Sequence, residues 1–496
     1  MFDADAAYLA LKAHDARFDG VLFVGVTSTG VYCRPICRVR TPRRENCRFF
    51  ASAAQAEAAA FRPCLKCRPE IAPGGGIAWS VMDASRTLAH QAAAWLDRHA
   101  DVRGDTSIQA LARTLGITDR HLRRIFATEH GVTPLQYLQT RRLLLAKQLL
   151  TDTTLPITQV ALASGFGSLR RFNAAFIERY RLNPTALRRR AGPRTPSAEA
   201  LTLQLAYREP YDRHAMLRFL AQRAIPGVEH VEVEGSAPGI RRSLRVGPPG
   251  REASGWLQVR FVEGKPLVQV QLAPQFADSS AALIRAVRRW LDLDAMPDVI
   301  EQALHELPGA GTRLPGSLDA FELAVRAVLG QQVTVAAART LATRLVDAYG
   351  EPIATPWPGL VSRSFPSPAR LAALAPSNLG TLGILRQRCA AILALAQQWD
   401  VLQARFNSAS PASATIALLE SLPGIGPWTA HYIAMRALAW PDAFPPRDVA
   451  VLKAMDCNPR DAEQRSQAWR PWRSYAVLRL WGSLGAAPTT PAPITP

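Results

Sequence analysis

No stretch of the 496 residues is both long and apolar enough to span a bilayer, so no membrane is expected as a partner. Met1-Phe-Asp-Ala-Asp, at the start, lacks the charged and apolar regions of a secretory signal, and a reducing cytoplasm is the expected location. Cysteine is scarce. There are seven, an odd number, with five before residue 70 and only Cys389 and Cys457 after residue 200. That distribution argues against a disulfide framework and for a metal site near the start of the chain. The two late cysteines are too few for an iron-sulfur cluster. Acid is in deficit: 40 Asp and Glu stand against 59 Lys and Arg. The formal net charge of +19 favours a polyanionic partner.

At roughly 150 residues per domain, the length fits three or four domains. An Ala/Leu-rich opening suits a helix, and Val21-Leu-Phe-Val-Gly-Val26 suits a short buried strand. Then come Cys33-Arg-Pro-Ile-Cys37 and Phe61-Arg-Pro-Cys64-Leu-Lys-Cys67. Two close pairs separated by a small module can present four thiolates, Cys33, Cys37, Cys64 and Cys67, tetrahedrally to Zn²⁺. Cys47 has no such neighbour and reads as a buried apolar cysteine. Residues 1–75 resemble the N-terminal domain of the Ada methylation-response proteins, whose Tyr-Cys-Arg-Pro-x-Cys and Phe-Arg-Pro-Cys-x-x-Cys motifs are both matched. The resemblance implies a small zinc-bound α/β module in which Cys33 is both a metal ligand and the acceptor of a methyl group from a DNA methylphosphotriester. The thiolate is the nucleophilic form of cysteine, so this chemistry suits a metal-held sulfur. Methylating one of four thiolates changes the formal charge of the cluster from about −2 to about −1, easing its repulsion from phosphate. Methylation is therefore expected to switch on DNA binding. A purely structural zinc is the other reading of this module.

After Gly74-Gly-Gly76 the periodicity becomes helical and a unit repeats. Ala112-Arg-Thr-Leu-Gly116-Ile117 is echoed by Ala161-Leu-Ala-Ser-Gly165-Phe166, and Phe126 precedes Pro134 by the interval that separates Phe176 from Pro184. Two copies of helix, glycine turn and helix over residues 79–190 predict paired helix-turn-helix units, with second helices over 118–130 and 168–181. Arg120, His121 and Arg124 on the first and Arg170 and Arg171 on the second have the donors to contact phosphates and base edges. With its ending Tyr180-Arg-Leu-Asn-Pro184 and the basic Arg188-Arg-Arg190, this segment resembles the AraC-type DNA-binding domain. That implies an all-α fold, a promoter site in double-stranded DNA and RNA polymerase as a further partner.

Ala191-Gly-Pro-Arg-Thr-Pro-Ser197 places a linker at 191–199. Alternation at 201–205, 231–234, 256–261 and 267–272 predicts a small antiparallel β domain over 200–275. Helical patterning then fills 276–490, before a tail at 491–496. Within it, Leu422-Pro-Gly-Ile-Gly-Pro-Trp428 leads into an apolar helix over 429–438, and Phe444-Pro-Pro-Arg447 leads to a single carboxylate, Asp448. Gly424 and Gly426 leave positive φ open at either position, and the free N–H groups of such a turn suit one phosphate. This resembles the helix-hairpin-helix of base-excision DNA glycosylases.

The whole segment from residue 200 resembles an AlkA-type 3-methyladenine DNA glycosylase. The matching blocks include Pro210-Tyr-Asp, Arg313-Leu-Pro-Gly-Ser-Leu-Asp-Ala-Phe321, Val328-Leu-Gly-Gln-Gln-Val333 and Trp469-Arg-Pro-Trp-Arg-Ser-Tyr475. The resemblance implies that Asp448 is catalytic, that Trp428, Tyr432, Trp481 and Phe219 line a pocket for the flipped base, and that Gln332 stands where AlkA has a leucine wedge. Cationic bases are drawn to aromatic faces, and a carboxylate can stabilise the oxocarbenium-like sugar as the base departs. Bifunctional relatives carry a Schiff-base lysine at position 428; tryptophan there implies no imine and no strand nicking. Arg447 replaces an acid that precedes the catalytic Asp in AlkA, which would put positive charge beside Asp448 or add a phosphate contact. The Pro-Cys-His-Arg acceptor motif of O6-methylguanine repair is absent.

The expectation is a multidomain α+β protein: a monomeric, monofunctional DNA-3-methyladenine glycosylase II acting on alkylated DNA, fused to a methyl sensor and an AraC-type regulator. The alternative is an AraC-type transcription factor with a catalytically inactive glycosylase-like domain.

Overall fold

The computed structural model describes residues 3–74, 84–100, 107–191, 200–235, 237–247, 252–407 and 412–485. The glycines at 75 and 76, residues 192–199 of the linker and the tail at 491–496 lie outside the described residues. The architecture is multidomain α+β. No described helix is long and apolar enough to cross a membrane.

In the N-terminal module, β1 (Phe23–Val26) pairs antiparallel with β2 (Val31–Cys33) and β3 (Cys47–Phe50), and β4 (Arg62–Pro63) lies parallel to β2. The order β3-β1-β2-β4 leaves β4 at an edge, where Pro63 costs no central ladder bond. Because β2 ends at Cys33 and Cys64 follows β4, this parallel pairing brings the two cysteine motifs to one end of the sheet; the Cys64 N–H donates to the Tyr32 carbonyl at 3.0 Å.

The repeat forms two similar pairs of helices, Ile108–Thr114 with Asp119–His130 and Ile157–Ala163 with Leu169–Tyr180, joined by the long helix Pro134–Asp152. Gly116 and Gly165 hold φ of +69° and +81°, which sets the turn in each pair. Thr118 and Ser168 cap the second helices, accepting from the N–H groups of His121 and Arg171. Phe126, Phe172, Phe176 and Tyr180 are buried.

From residue 201, β5 (Leu201–Ala206), β6 (Glu229–Glu232), β7 (Gly239–Val246), β8 (Ala253–Phe261) and β9 (Leu267–Leu272) form a wholly antiparallel sheet in the order β5-β9-β8-β7-β6. Sequence patterning does not anticipate β7. Its Arg241, Arg242 and Arg245 break the alternation, yet Arg242 is buried and paired with Glu322 at 2.6 Å and Glu229 at 3.3 Å. A buried cation thus occupies a place where an apolar residue would signal a strand.

The parts are not beads on a string. Phe172, Phe176, Tyr180 and Leu187 share one apolar cluster with Leu203, Val270, Phe276 and Trp290. Burying each large apolar side chain contributes roughly 1.5–3 kcal/mol, so the regulator half and the β domain stabilise one another. The N-terminal module, which packs Ala54 into an apolar cluster with Leu96, Phe126 and Leu138, is fastened to the rest largely by polar contacts. Arg208, 2% exposed, donates to the carbonyls of Asp19 (2.9 Å) and Gly74 (2.6 Å) on one side and of Asp294 (3.0 Å) and Ala295 (3.2 Å) on the other. Arg68, next to Cys67, bonds Asp152 at 2.6 Å and Gln204 at 3.3 Å, and Lys147 pairs with Glu70 in a buried contact.

Glu57 gives this packing a pH dependence. It is fully buried between the N-terminal module and the helices Pro134–Asp152 and Leu169–Tyr180, accepting from the hydroxyls of Tyr32 and Thr140, each at 3.1 Å, with Arg179 3.8 Å away. Burial pushes its carboxyl up to about 7 from 4.5, against the pull of Arg179. Between those values the folded chain keeps a proton that the unfolded chain has lost. Stability therefore falls as pH rises through this window, by about 3 kcal/mol in total from this group. Denaturation midpoints measured across the window will show that decline, and Glu57→Gln will flatten it; an equally steep decline in the variant would assign it to other groups.

Candidate active site and metal centre

Helix Pro427–Ala437 starts at Gly426 and follows a turn in which Gly424 holds φ of +77°. A side chain at 424 is barred twice, by that φ and by Ala391 Cβ, which would lie 3.0 Å from its Cβ. Gly426 is different: its φ is −92° and a Cβ there meets nothing within 4 Å. Positive φ is thus used at Gly424 alone, and Gly426 leaves an open surface at the start of the helix, where backbone N–H groups point outward.

Helical spacing sets Trp428, Tyr432 and Arg436 on successive turns of one face. The Trp428 and Tyr432 rings stack at 5.3 Å and 6°, and Trp481, on helix Arg473–Gly485, lies 6.3 Å from Tyr432 at 43°. Asp448 caps helix Val449–Met455. Its Oδ1 accepts from Val451 N at 2.8 Å and Trp481 Nε1 at 3.0 Å, and its Oδ2 accepts from Trp428 Nε1 at 2.8 Å. Asp448 is 7% exposed and makes no ion pair among the described residues, while the three rings around it are partly exposed. Of about four acceptor positions on a carboxylate, three are used, leaving one on Oδ2.

Phe219 is reached through Arg436, whose guanidinium lies 4.8 Å from the Phe219 ring and 5.7 Å from that of Tyr432; Arg223 lies over Phe219 at 3.7 Å. Arg436 is buried, donating to the carbonyls of Pro315 and Gly316 and, at 2.8 Å, to the Tyr432 hydroxyl. Burial alone would raise the Tyr432 phenol, but Arg436, Arg223 and Arg326 outweigh it and hold the group below the ordinary tyrosine range. Sequence reading missed Arg223 and Arg436. Their signal was faint: each stands four residues after an aromatic that the sequence resemblance assigns to the pocket.

Gln332 is exposed, with φ of +54°, between two helices. Its neighbour Gln331 ties this loop to the hairpin, donating to the Gly424 carbonyl at 2.8 Å and to Thr429 Oγ1 at 3.0 Å. On the helix-turn-helix units Arg120, Arg124, Arg170 and Arg171 are exposed, and half-buried His121 shares a hydrogen bond with Arg124 at 3.2 Å.

The ligand atoms of Cys33, Cys37, Cys64 and Cys67 all lie within 4.8 Å of one another, and the first three side chains are buried. Four sulfurs gathered this closely, three of them buried, fit a donor set that converges on one divalent cation, and Zn²⁺ is the ion such a set holds. The Arg34 N–H donates to Cys67 Sγ at 3.3 Å, and the Arg34 side chain bonds Asp19 and the Cys67 carbonyl, bracing one ligand. A small apolar hollow formed by Leu11, Val24, Val26 and Val39 opens on Cys33 and Cys37.

Comparison with known proteins covers the same segments. Residues 6–70 match the metal binding domain of Ada, 111–190 a helix-turn-helix domain, 202–319 the AlkA N-terminal domain, and 325–465 the HhH-GPD superfamily of base excision DNA repair proteins. A probable bifunctional transcriptional activator/DNA repair enzyme AlkA of Mycobacterium tuberculosis is 38% identical over 97% of both chains. DNA-3-methyladenine glycosylase 2 of Escherichia coli is 35% identical over 57% of this chain and 98% of its own. The regulatory protein ada of Salmonella typhimurium is 34% identical over 33% of this chain and 42% of its own.

Proposed function

Since the chain belongs to the AlkA-type bifunctional transcriptional activators and DNA repair enzymes, we propose that it excises alkylated bases as a monofunctional DNA-3-methyladenine glycosylase II and senses methylphosphotriesters at Cys33. The observation that carries the excision reading is the buried Asp448 carboxylate, which both indole N–H groups hold beside three partly exposed aromatic rings. N-alkylation gives a purine a positive charge that the Trp428, Tyr432 and Trp481 faces attract. As the C1′–N bond breaks, its electron pair neutralises the departing base and the sugar becomes cationic. Asp448 stabilises that cation, and its free Oδ2 position orients the water that adds to C1′ and takes up the proton that water loses. With tryptophan at 428, no amine waits to capture the sugar as an imine. The complete acid and indole set favours an active enzyme over a domain that only holds DNA.

Gly424 and Gly426 present backbone donors to a phosphate, Gln332 fills the space left by the extruded base, and Phe219 completes the pocket wall. Arg120, His121, Arg124, Arg170 and Arg171 contact a promoter site, from which the chain, as a monomer in the cytoplasm, engages RNA polymerase. Zn²⁺ held by the four cysteines keeps its ligand sulfurs deprotonated at neutral pH. Cys33 attacks the methyl carbon of the triester; the S–C bond forms, the C–O bond breaks, and its electron pair stays on the phosphate as a diester anion.

One incubation with methylated duplex tests both activities. Free 3-methyladenine or 7-methylguanine should appear in solution without a borohydride-trapped adduct, and the Cys33 peptide should gain one methyl group. No released base from folded, zinc-loaded chain would overturn the excision reading, and an unmethylated Cys33 would leave the zinc purely structural.

A further inference from the structure

Asp448 also borders a groove that the excision chemistry leaves unused. This groove, of about 460 Å³, has an apolar wall that includes Phe444, Pro445, Pro446 and Pro459, and it carries the side chains of Arg447 and Arg460. Both arginines are exposed, and neither side chain has a hydrogen-bond or ion-pair partner among the described residues. The other acid on the groove, Glu463, is offset by Arg473 at 3.4 Å and accepts from Gln467 at 3.0 Å. Arg447 also holds φ of +57°, a left-handed conformation that costs a non-glycine residue roughly 1–2 kcal/mol, directly before the proposed reactive carboxylate.

Two unpaired guanidiniums over a proline-rich wall match the chemistry of a DNA backbone: phosphate oxygens accept charge-assisted hydrogen bonds while deoxyribose packs on the apolar surface. The position narrows the choice of phosphate. Asp448 is joined through Trp428 to the helix that follows the hairpin turn, and through the chain itself to Arg447. An extruded nucleotide has one phosphate on each side of its sugar. With the hairpin taking one of them, the groove is left for the other.

We propose that this groove binds the backbone phosphate on the side of the extruded nucleotide away from the hairpin, with Arg447 and Arg460 as its ligands. The inference rests on the excision reading for its register and on the groove for its chemistry.

The test uses the full chain, its Arg447→Ala and Arg460→Ala variants and the double variant. Each is titrated against a duplex carrying one tetrahydrofuran abasic-site analogue at several salt concentrations, alongside 7-methylguanine release at varied DNA concentration. Each single substitution should weaken binding about tenfold, as expected for a lost charge-assisted contact. The double variant should lower the slope of log affinity against log salt by about 0.9, the value for one phosphate. In release assays the loss should fall on KM, and Arg447→Lys should recover part of it. A double variant with wild-type affinity and salt slope would overturn the proposal. If the unmutated chain released no base, the excision reading would fail, while the salt slopes would still decide the groove.

Discussion

Asp448→Asn should lower the rate of 7-methylguanine release by about a thousandfold or more at saturating DNA, on the scale of removing a group whose charge acts mainly in the transition state. The substitution is close to isosteric, so its effect can be traced atom by atom. The amide oxygen can keep the bonds from Val451 N and Trp481 Nε1, which now converge on Oδ1. The amide nitrogen then faces Trp428 Nε1, and two donors oppose one another where the carboxylate accepts at 2.8 Å. The variant thus loses the negative charge opposite the cationic sugar and the acceptor that fixes one indole. Single-turnover chromatography of released base measures the rate, and an unchanged melting temperature would show that the fold survived. A variant within tenfold of wild type would remove Asp448 from the chemistry.

Removing zinc has the other large effect, this time on structure. Chelation, or Cys37→Ala together with Cys67→Ala, should release the one bound ion and unfold the N-terminal module. Structural zinc sites contribute about 10–16 kcal/mol at neutral pH, as much as or more than the roughly 5–15 kcal/mol by which a whole domain is usually stable. The module has little to put in its place: its core clusters contain only a few large side chains, among them Phe23, Tyr32 and Phe61. Metal analysis together with hydrogen exchange across residues 23–63 checks this. Full protection in the doubly substituted chain would show that the cysteines are dispensable for folding.

What was legible in the sequence follows from how each feature is encoded. The cysteine pairs, the duplicated glycine turns and the Leu-Pro-Gly hairpin are local, and local spacing is enough to place them. Thr118 and Ser168 even mark where the second helices start, because a cap signals through its own side chain. Asp448 could be picked out as a lone acid after a proline pair, but its three hydrogen-bond donors come from residues 3, 20 and 33 positions away, which no local pattern connects. Strand β7 and the arginines at 223, 242 and 436 were missed for one reason: a buried or half-buried cation looks like an exposed one until its partners are known. The glycines of the hairpin were treated as equivalent, although only Gly424 needs its conformation. Contacts such as those of Arg208 join residues up to 189 positions apart and were invisible.

The apolar cluster that holds Phe172 and Phe176 beside Leu203 and Val270 has an evolutionary corollary. A mutation that loosens it would injure gene control and base removal together, although neither operation uses those side chains. Selection on either trait therefore polices the same handful of positions, and the two halves of this fusion cannot drift apart as separately encoded partners could.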